Sequence, residues 1–331
     1  MPWLDELSWP LEAALLLVGF ALLARGADWL VDGGVSLARR WGVRPLLVGL
    51  TVVAWGTSLP EVVVSSLAAV EGRPGASLGN VLGSNVANIG LVLGTSALVL
   101  PAILRDRMRG QEAGWLLGAL LALWGVCLDG HLTRVEAAGL LAVFLLYNLL
   151  LFRSGLRLSE EAGHELDEEH VMRRPWLGVL SGSLAVAIGA RLVVTGGTGL
   201  AARAGLPDTV IGLTIFALGT SLPELAAGLG SALKGHAEMS FGNVVGSNVF
   251  NCLAVIGITG LVTPFDGGDP ALAAEMSSAL ARDFPLNLAF ALALLGLPLL
   301  AGSSYLRPKA LLLASAYLGY VVWLLLPSLG G

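Results

Sequence analysis

The chain has 331 residues, of which 55% are hydrophobic and only 13% charged, with a formal net charge of −5. A water-soluble domain carries about 25% charged residues, so this composition excludes an ordinary soluble fold and points to a lipid environment. The net charge says little by itself, because the placement of the charges matters more, and no nucleic-acid partner is expected.

A helix needs about 20 apolar residues to cross a hydrocarbon core of about 30 Å. Ten stretches qualify as predicted spans, near 10–38, 45–70, 77–100, 112–129, 135–152, 175–203, 207–233, 240–263, 284–302 and 308–327. The expected fold is an all-α polytopic membrane protein in two halves, residues 1–152 and 175–331, joined by an acidic linker over 153–174. The start Met1-Pro2-Trp3-Leu4-Asp5-Glu6 has no basic region, so no cleaved signal peptide is expected. Cys127 and Cys252 both fall inside spans and read as small core residues.

Span one carries Arg25, Asp28 and Asp32, whose spacings of three and four allow pairing on one helix face. Span six carries Arg191. Spans two and three hold the first copy of a repeated stretch. It runs Gly49-Leu50-Thr51, then Gly56-Thr57-Ser58-Leu59-Pro60-Glu61, then Gly79-Asn80-Val81-Leu82-Gly83-Ser84-Asn85-Val86-Ala87-Asn88. Spans seven and eight repeat it at a constant offset of 163, as Gly212-Leu213-Thr214, Gly219-Thr220-Ser221-Leu222-Pro223-Glu224 and Gly242-Asn243-Val244-Val245-Gly246-Ser247-Asn248-Val249-Phe250-Asn251. Each proline is expected to break its helix and free a carbonyl near Gly56 or Gly219. Glu61 can share a face with Thr57 and Ser58, as Glu224 can with Thr220 and Ser221. Ser84 with Asn88, and Ser247 with Asn251, are likewise four apart.

Other features are expected to be structural. Gly110, Gly114 and Gly118 read as a helix-packing ladder. The segment from Gly163 to His170 reads as a solvated tether. Ser231-Ala232-Leu233-Lys234 matches an acyl-enzyme motif but lacks its companions, and no nucleophile–base pair or cofactor motif is visible, so no enzyme is expected.

The basic residues alternate by loop. Arg39, Arg40, Arg44, Arg105, Arg107, Arg109, Arg153, Arg157, Arg173, Arg174, Lys234, Arg307 and Lys309 follow odd-numbered spans. By the positive-inside rule those loops are cytoplasmic and both termini extracytoplasmic. Five spans per half is an odd number, so the second half enters the membrane upside down. Inverted repeats are characteristic of secondary transporters, with the site where the repeats meet. Intramembrane carboxylates, amides, hydroxyls and freed carbonyls form an all-oxygen site, which hard cations prefer over zinc or copper. Calcium accepts about 6–8 oxygens in flexible geometry. Two glutamates with neutral oxygens suit one calcium ion, or several sodium ions sharing the same ligands.

Gly-Thr-Ser-Leu-Pro-Glu with Gly-Ser-Asn-x-x-Asn, present twice at 49–90 and 212–253, resembles the cation/calcium exchanger superfamily, and within it the prokaryotic sodium/calcium exchangers. The resemblance implies ten helices, with spans two, three, seven and eight as the ion-binding core and spans one and six sliding over it. It implies Glu61 and Glu224 as calcium carboxylates assisted by Thr57 and Thr220. Ala54, Ala217, Ser84 and Ser247 would add sodium ligands, Ser58 and Ser221 would support them, and Asn88 and Asn251 would complete the centre. It further implies calcium and sodium as transported ions, no cofactor, and three sodium ions exchanged for one calcium. A proton/calcium antiporter of the same superfamily is the alternative, and a cation channel or ion-sensing membrane scaffold is a more distant one. Many microbial and potassium-dependent relatives carry an acidic residue where this chain has Asn88 or Asn251, so potassium dependence is not expected here.

Overall fold

A computed structural model describes residues 8–104, 111–162, 172–205, 211, 215, 217–265, 270–296 and 305–329. The described chain is helical, and the one β-type contact in it is an isolated antiparallel bridge between Leu132 and Phe265. Helices α1 (Trp9–Trp41), α2 (Pro45–Val70), α3 (Pro74–Val99), α4 (Gln111–Val126), α5 (Arg134–Ala162) and α6 (Pro175–Arg203) make up the first part of the chain. They are followed by α7 (Leu222–Leu233), α8 (Ala237–Val262), α9 (from Pro270 to Gly296) and α10 (Leu306–Leu329). Eight of these are long and apolar enough to cross a membrane.

The two exceptions are α4 and α7. Helix α4 is described over 16 residues, fewer than the about 20 that a crossing needs. The expected span over 207–233 is interrupted: a single turn, Ala217–Gly219, stops before Thr220 and Ser221, and α7 restarts at Leu222. Helix α9 begins earlier than expected. Pro270–Ser278 is α-helical and runs through a π segment, Ala279–Asp283, into Phe284–Gly296. The acidic tether, residues 163–170, lies outside the described residues, as do Gly110 and Arg105, Arg107 and Arg109.

Proline acts differently in the two halves. Pro223 opens α7 at its first turn, as the expected break requires. Pro60, by contrast, lies inside an unbroken α-helical stretch, Ala54–Val70. The distortion of α2 instead sits about two turns upstream, as a π segment Gly49–Val53. Matching π segments begin at Asn88 (Asn88–Leu93) and Asn251 (Asn251–Val255). A π turn inserts one extra residue and loosens the hydrogen-bond ladder, a feature enriched at functional sites. No residue type announces such a turn in the sequence.

Helix α1 packs along the whole of α6, and the two run antiparallel. Gly19 meets Gly189 and Val193, Gly26 meets Gly182 and Val186, and Gly33 meets Pro175 and Val179. The glycines recur every seven residues on both helices, and each of Gly19, Gly26 and Gly33 has its repeat partner at +163 in Gly182, Gly189 and Gly196. A methyl group on Gly182 would sit 2.4 Å from the backbone nitrogen of Leu30, and one on Gly196 2.4 Å from the carbonyl oxygen of Glu12. Backbones this close exclude any side chain. The expected ladder at Gly114 and Gly118 does not pack in this way: both are exposed, with nothing within 4 Å of an added Cβ.

Charged groups fasten both ends of this pair. Arg203 Nε lies 2.6 Å from Oε2 of the buried Glu12. Arg40 Nη2 donates to the carbonyls of Met172 and Arg173 at 3.2 and 2.8 Å. Arg40 and Arg203 are themselves repeat partners. The intrahelical pairing expected in α1 is mostly displaced. Arg25 approaches Asp28 only to 3.9 Å, whereas Lys234 from the end of α7 reaches Asp28 Oδ1 at 3.0 Å and Asp32 Oδ1 at 2.8 Å. The lysine of the Ser-x-x-Lys match therefore ties α7 to α1.

Overpacking a tight contact costs about 1–3 kcal/mol. Gly182→Val should lower the melting temperature of the detergent-purified protein by several degrees or prevent its recovery. Gly118→Ala should leave it unchanged or slightly raised, because glycine is the poorer helix former. Equal behaviour of the two variants in differential scanning fluorimetry would refute the tight α1–α6 seam.

Candidate functional site

The repeated stretches of α2, α3, α7 and α8 come together at the centre of the bundle. Glu61, Glu224, Thr57, Asn88, Asn251 and Ser247 are each 0% exposed, and Ser58, Ser221 and Ser84 are no more than 2% exposed. Ala54, at the end of the π segment of α2, is also fully buried. Thr220 lies in the gap between the Ala217–Gly219 turn and α7 and is partly exposed. Ala217 contributes the first residue of that turn. The repeat residues Gly212, Leu213 and Thr214 lie outside the described residues.

The polar contacts cross from one repeat to the other. Thr57 Oγ1 donates to Asn243 Oδ1 at 3.2 Å and lies 3.5 Å from Ser247 Oγ. Its repeat partner Thr220 lies 3.2 Å from Ser84 Oγ through Oγ1 and donates to Asn80 Oδ1 at 3.4 Å. These are the same contacts with the halves exchanged. The amides obey the same rule: Asn88 Nδ2 donates to Asn248 Oδ1 at 2.9 Å, and Asn251 Nδ2 donates to Asn85 Oδ1 at 3.1 Å.

The contacts to the glutamates break the symmetry. Ser58 Oγ donates to Glu224 Oε1 at 2.7 Å, reaching the other repeat's glutamate and not Glu61 on its own helix. The mirrored bond from Ser221 to Glu61 is not made; Ser221 Oγ and both Glu61 oxygens have no hydrogen-bond partner. The difference follows the backbone. Ser58 sits on the continuous helix of α2, whereas Ser221 precedes the restarted α7 with φ −87° and ψ 0°.

The expected site residues that the structure brings together as fully buried groups are Glu61, Glu224, Thr57, Ser58, Ser221, Ser84, Ser247, Asn88, Asn251 and Ala54. Four more belong to the same network and were not singled out: Asn80, Asn85, Asn243 and Asn248. Their signal was in the repeat itself, since the Gly-Asn and Ser-Asn pairs recur at the offset of 163.

Glu61 Oε1 and Oε2, Glu224 Oε2, Asn88 Oδ1 and Asn251 Oδ1 are all buried oxygens without a donor. An unpaired buried carboxylate is among the costliest groups a protein can hold. Acceptors without donors are what a cation requires, and the set is all oxygen, which suits a hard ion. No group of three His, Cys, Asp or Glu that could hold a transition metal occurs among the described residues.

The family model for "Sodium/calcium exchanger protein" matches residues 11–153 and 174–326. The chain belongs to the sodium/calcium exchanger family. The two matched segments of this exchanger begin at the same offset that relates its repeats. CaxA of Alkalimonas amylolytica is 37% identical over 313 residues, covering 92% of the exchanger and 96% of that protein. The sodium/calcium exchanger MaX1 of Methanosarcina acetivorans is 29% identical over 298 residues, covering 78% and 85%. Among solved structures, the sodium-calcium exchanger NCX_Mj aligns with a TM-score of 0.75 and 30% identity, covering 95% of the exchanger and 99% of that chain. The exchanger is thus a membrane-spanning antiporter of this superfamily whose substrates are sodium and calcium ions, and not an enzyme.

Ligands that bind only the folded state stabilise it, by about 2.7 kcal/mol at a hundredfold excess over Kd. Calcium should raise the melting temperature of the purified exchanger by several degrees. Glu61→Gln and Glu224→Gln should keep or raise the ion-free melting temperature, because each removes a buried charge, and should lose the calcium-induced rise. A calcium shift that survives in both variants would place the ion elsewhere.

Proposed function

We propose that the exchanger is a ten-helix protein of two inverted repeats, residues 1–152 and 175–331 joined by a cytoplasmic linker over 153–174, that exchanges calcium for sodium by alternating access. Both termini face away from the cytoplasm in this reading. The observation that carries the ion site is the set of donorless, fully buried oxygens on Glu61, Glu224, Asn88 and Asn251. Glu61 and Glu224 with Thr57 and Thr220 serve calcium. Ala54, Ala217, Ser84 and Ser247, supported by Ser58 and Ser221, add oxygens for sodium.

The inverted relation is supported by three features: α1 and α6 are repeat partners that run antiparallel, the hydroxyl contacts exchange between halves, and the amide contacts do the same. Alternating access is supported by the unequal environments of the equivalent core helices. Helix α8 is buried throughout Phe241–Phe250, with Gly246 against the backbone of Leu50, while on α3 Gly79 is exposed and Gly83 half-buried. The missing Ser221–Glu61 bond is a second such inequality. If the two repeats exchange their environments, access passes from one face to the other. The tested consequence is sidedness: a cysteine at Gly72 should react with an impermeant thiol reagent only from outside, and one at Gly235 only from inside. Labelling of both from the same face would refute the inversion.

The two glutamates give the centre a formal charge of −2, and the amides of Asn88 and Asn251 add none. One calcium ion neutralises it, whereas three sodium ions leave it positive by one. Exchange therefore moves charge and needs no potassium, since no third carboxylate is available for that ion. One elementary charge crossing the full field corresponds to about 2.3 kcal/mol per 100 mV. Sodium-loaded proteoliposomes should take up calcium at a rate that responds to a clamped potential and is the same with and without external potassium. Vesicles loaded with protons in place of sodium should take up little. Voltage-indifferent uptake, a potassium requirement, or uptake driven equally by protons would overturn the respective part of this reading.

A further inference from the structure

Four asparagines form a crossed pair at the centre of the exchanger. Asn85 and Asn248 are repeat partners, as are Asn88 and Asn251. Asn88 gives its Nδ2 to Asn248 Oδ1 at 2.9 Å, and Asn251 gives its Nδ2 to Asn85 Oδ1 at 3.1 Å. The other ends of Asn88 and Asn251 are the donorless oxygens Oδ1, in side chains that are 0% exposed. Asn85 and Asn248 are themselves held. Asn85 Nδ2 donates to Cys252 Sγ at 3.1 Å, and Asn248 Nδ2 donates to the backbone carbonyl of Asn85 at 3.2 Å. Both are 2% exposed.

A carboxamide has two unlike ends. Its oxygen attracts a cation, while its amino group carries two N–H donors and repels one. Rotation by half a turn about the last bond exchanges them with little change in shape, so packing alone discriminates poorly between the two orientations. A fixed acceptor beside the amino end does discriminate, because a flip would face oxygen against oxygen and strand a buried donor. The crossed pair supplies that acceptor to each amide from the opposite repeat.

We propose that Asn85 and Asn248 are positioning residues, each of which orients the ion-facing amide of the other repeat so that oxygen is presented to the transported cation. This rests on the assignment of Asn88 and Asn251 as ion ligands given above. The role is specific to amides. A carboxylate has two equivalent oxygens and needs no orienting, so the same scaffold asparagine loses its purpose when the ligand is an aspartate.

That distinction provides the experiment. Sodium-driven calcium uptake into proteoliposomes is measured for the wild-type chain, Asn85→Ala, Asn251→Asp and the double variant, with the apparent KM for calcium as the readout. Residues that act through one another are not additive, and tenfold corresponds to about 1.4 kcal/mol. Asn85→Ala should therefore raise the calcium KM roughly tenfold when residue 251 is asparagine and less than about threefold when it is aspartate. A purely packing role for Asn85 would give the same fold-change in both backgrounds and would overturn the proposal. The mirrored cycle, Asn248→Ala with Asn88→Asp, provides the same comparison if Asn85→Ala is not recovered folded. Asn251→Ala separates the two levels: an unchanged calcium KM there would remove the ligand assignment itself, whereas a raised KM with equal fold-changes in the cycle would remove only the orienting role.

Discussion

Two buried carboxylates, which together accept one hydrogen bond, set the terms for the rest of this exchanger. Glu61 and Glu224 are fully buried, and of their four oxygens only Glu224 Oε1 accepts a hydrogen bond, from Ser58. In a medium where desolvation penalises every bare charge, such a pair is tolerable only if a cation shares the space or the surrounding protein is held very firmly. The neighbouring residues meet the second condition. Thr57, Thr220, Ser84, Ser247 and the asparagines bind one another across the repeat boundary, leaving the glutamates as the groups with unsatisfied capacity. Charge concentrated against a rigid, neutral frame is what makes an ion the natural complement.

The frame is built where sequence and backbone cooperate. Glycines every seven residues let α1 and α6 approach until backbone meets backbone, and Arg40, Arg203 and Glu12 close the ends of that seam. A pair so interlocked is suited to move as one piece relative to the core. Its main charged tie to the core is Lys234, which engages both Asp28 and Asp32. These groups are partly exposed, so the tie is worth little in stability and is inexpensive to break. Within the core, π segments begin at Gly49, Asn88 and Asn251, so the loosened backbone lies beside the oxygens.

The symmetry of the polar contacts is only partial, and its defect at the glutamates is informative. Hydroxyl and amide contacts repeat with halves exchanged, but Ser58 binds Glu224 while Ser221 leaves Glu61 alone. The two halves therefore have equivalent residues in unequal conformations. An inequality between equivalent parts is how a two-faced transporter would differ between its inward and outward forms.

What the amino-acid sequence determined by itself was inventory and spacing. The apolar lengths, the offset of 163 and the oxygen chemistry of Glu61, Glu224, Thr57, Ser84, Asn88 and Asn251 were all legible, because composition and periodicity report directly on solvent and repetition. Local geometry was only partly legible. Both prolines looked alike in sequence, yet Pro223 begins a helix while Pro60 is carried inside one, since tertiary packing can hold a helix through a missing donor. The ladder at Gly114 and Gly118 obeyed the packing pattern and packs against nothing, whereas Gly19, Gly26 and Gly33 carry the seam. Partners 166 to 206 residues apart were beyond any pattern. That Ser58 serves the other repeat's glutamate, that Lys234 joins α7 to α1, and that Asn85 faces Asn251 were decided only when the helices met. The reason is physical: spacing along a helix fixes which residues share a face, but the packing of one helix on another chooses what that face touches.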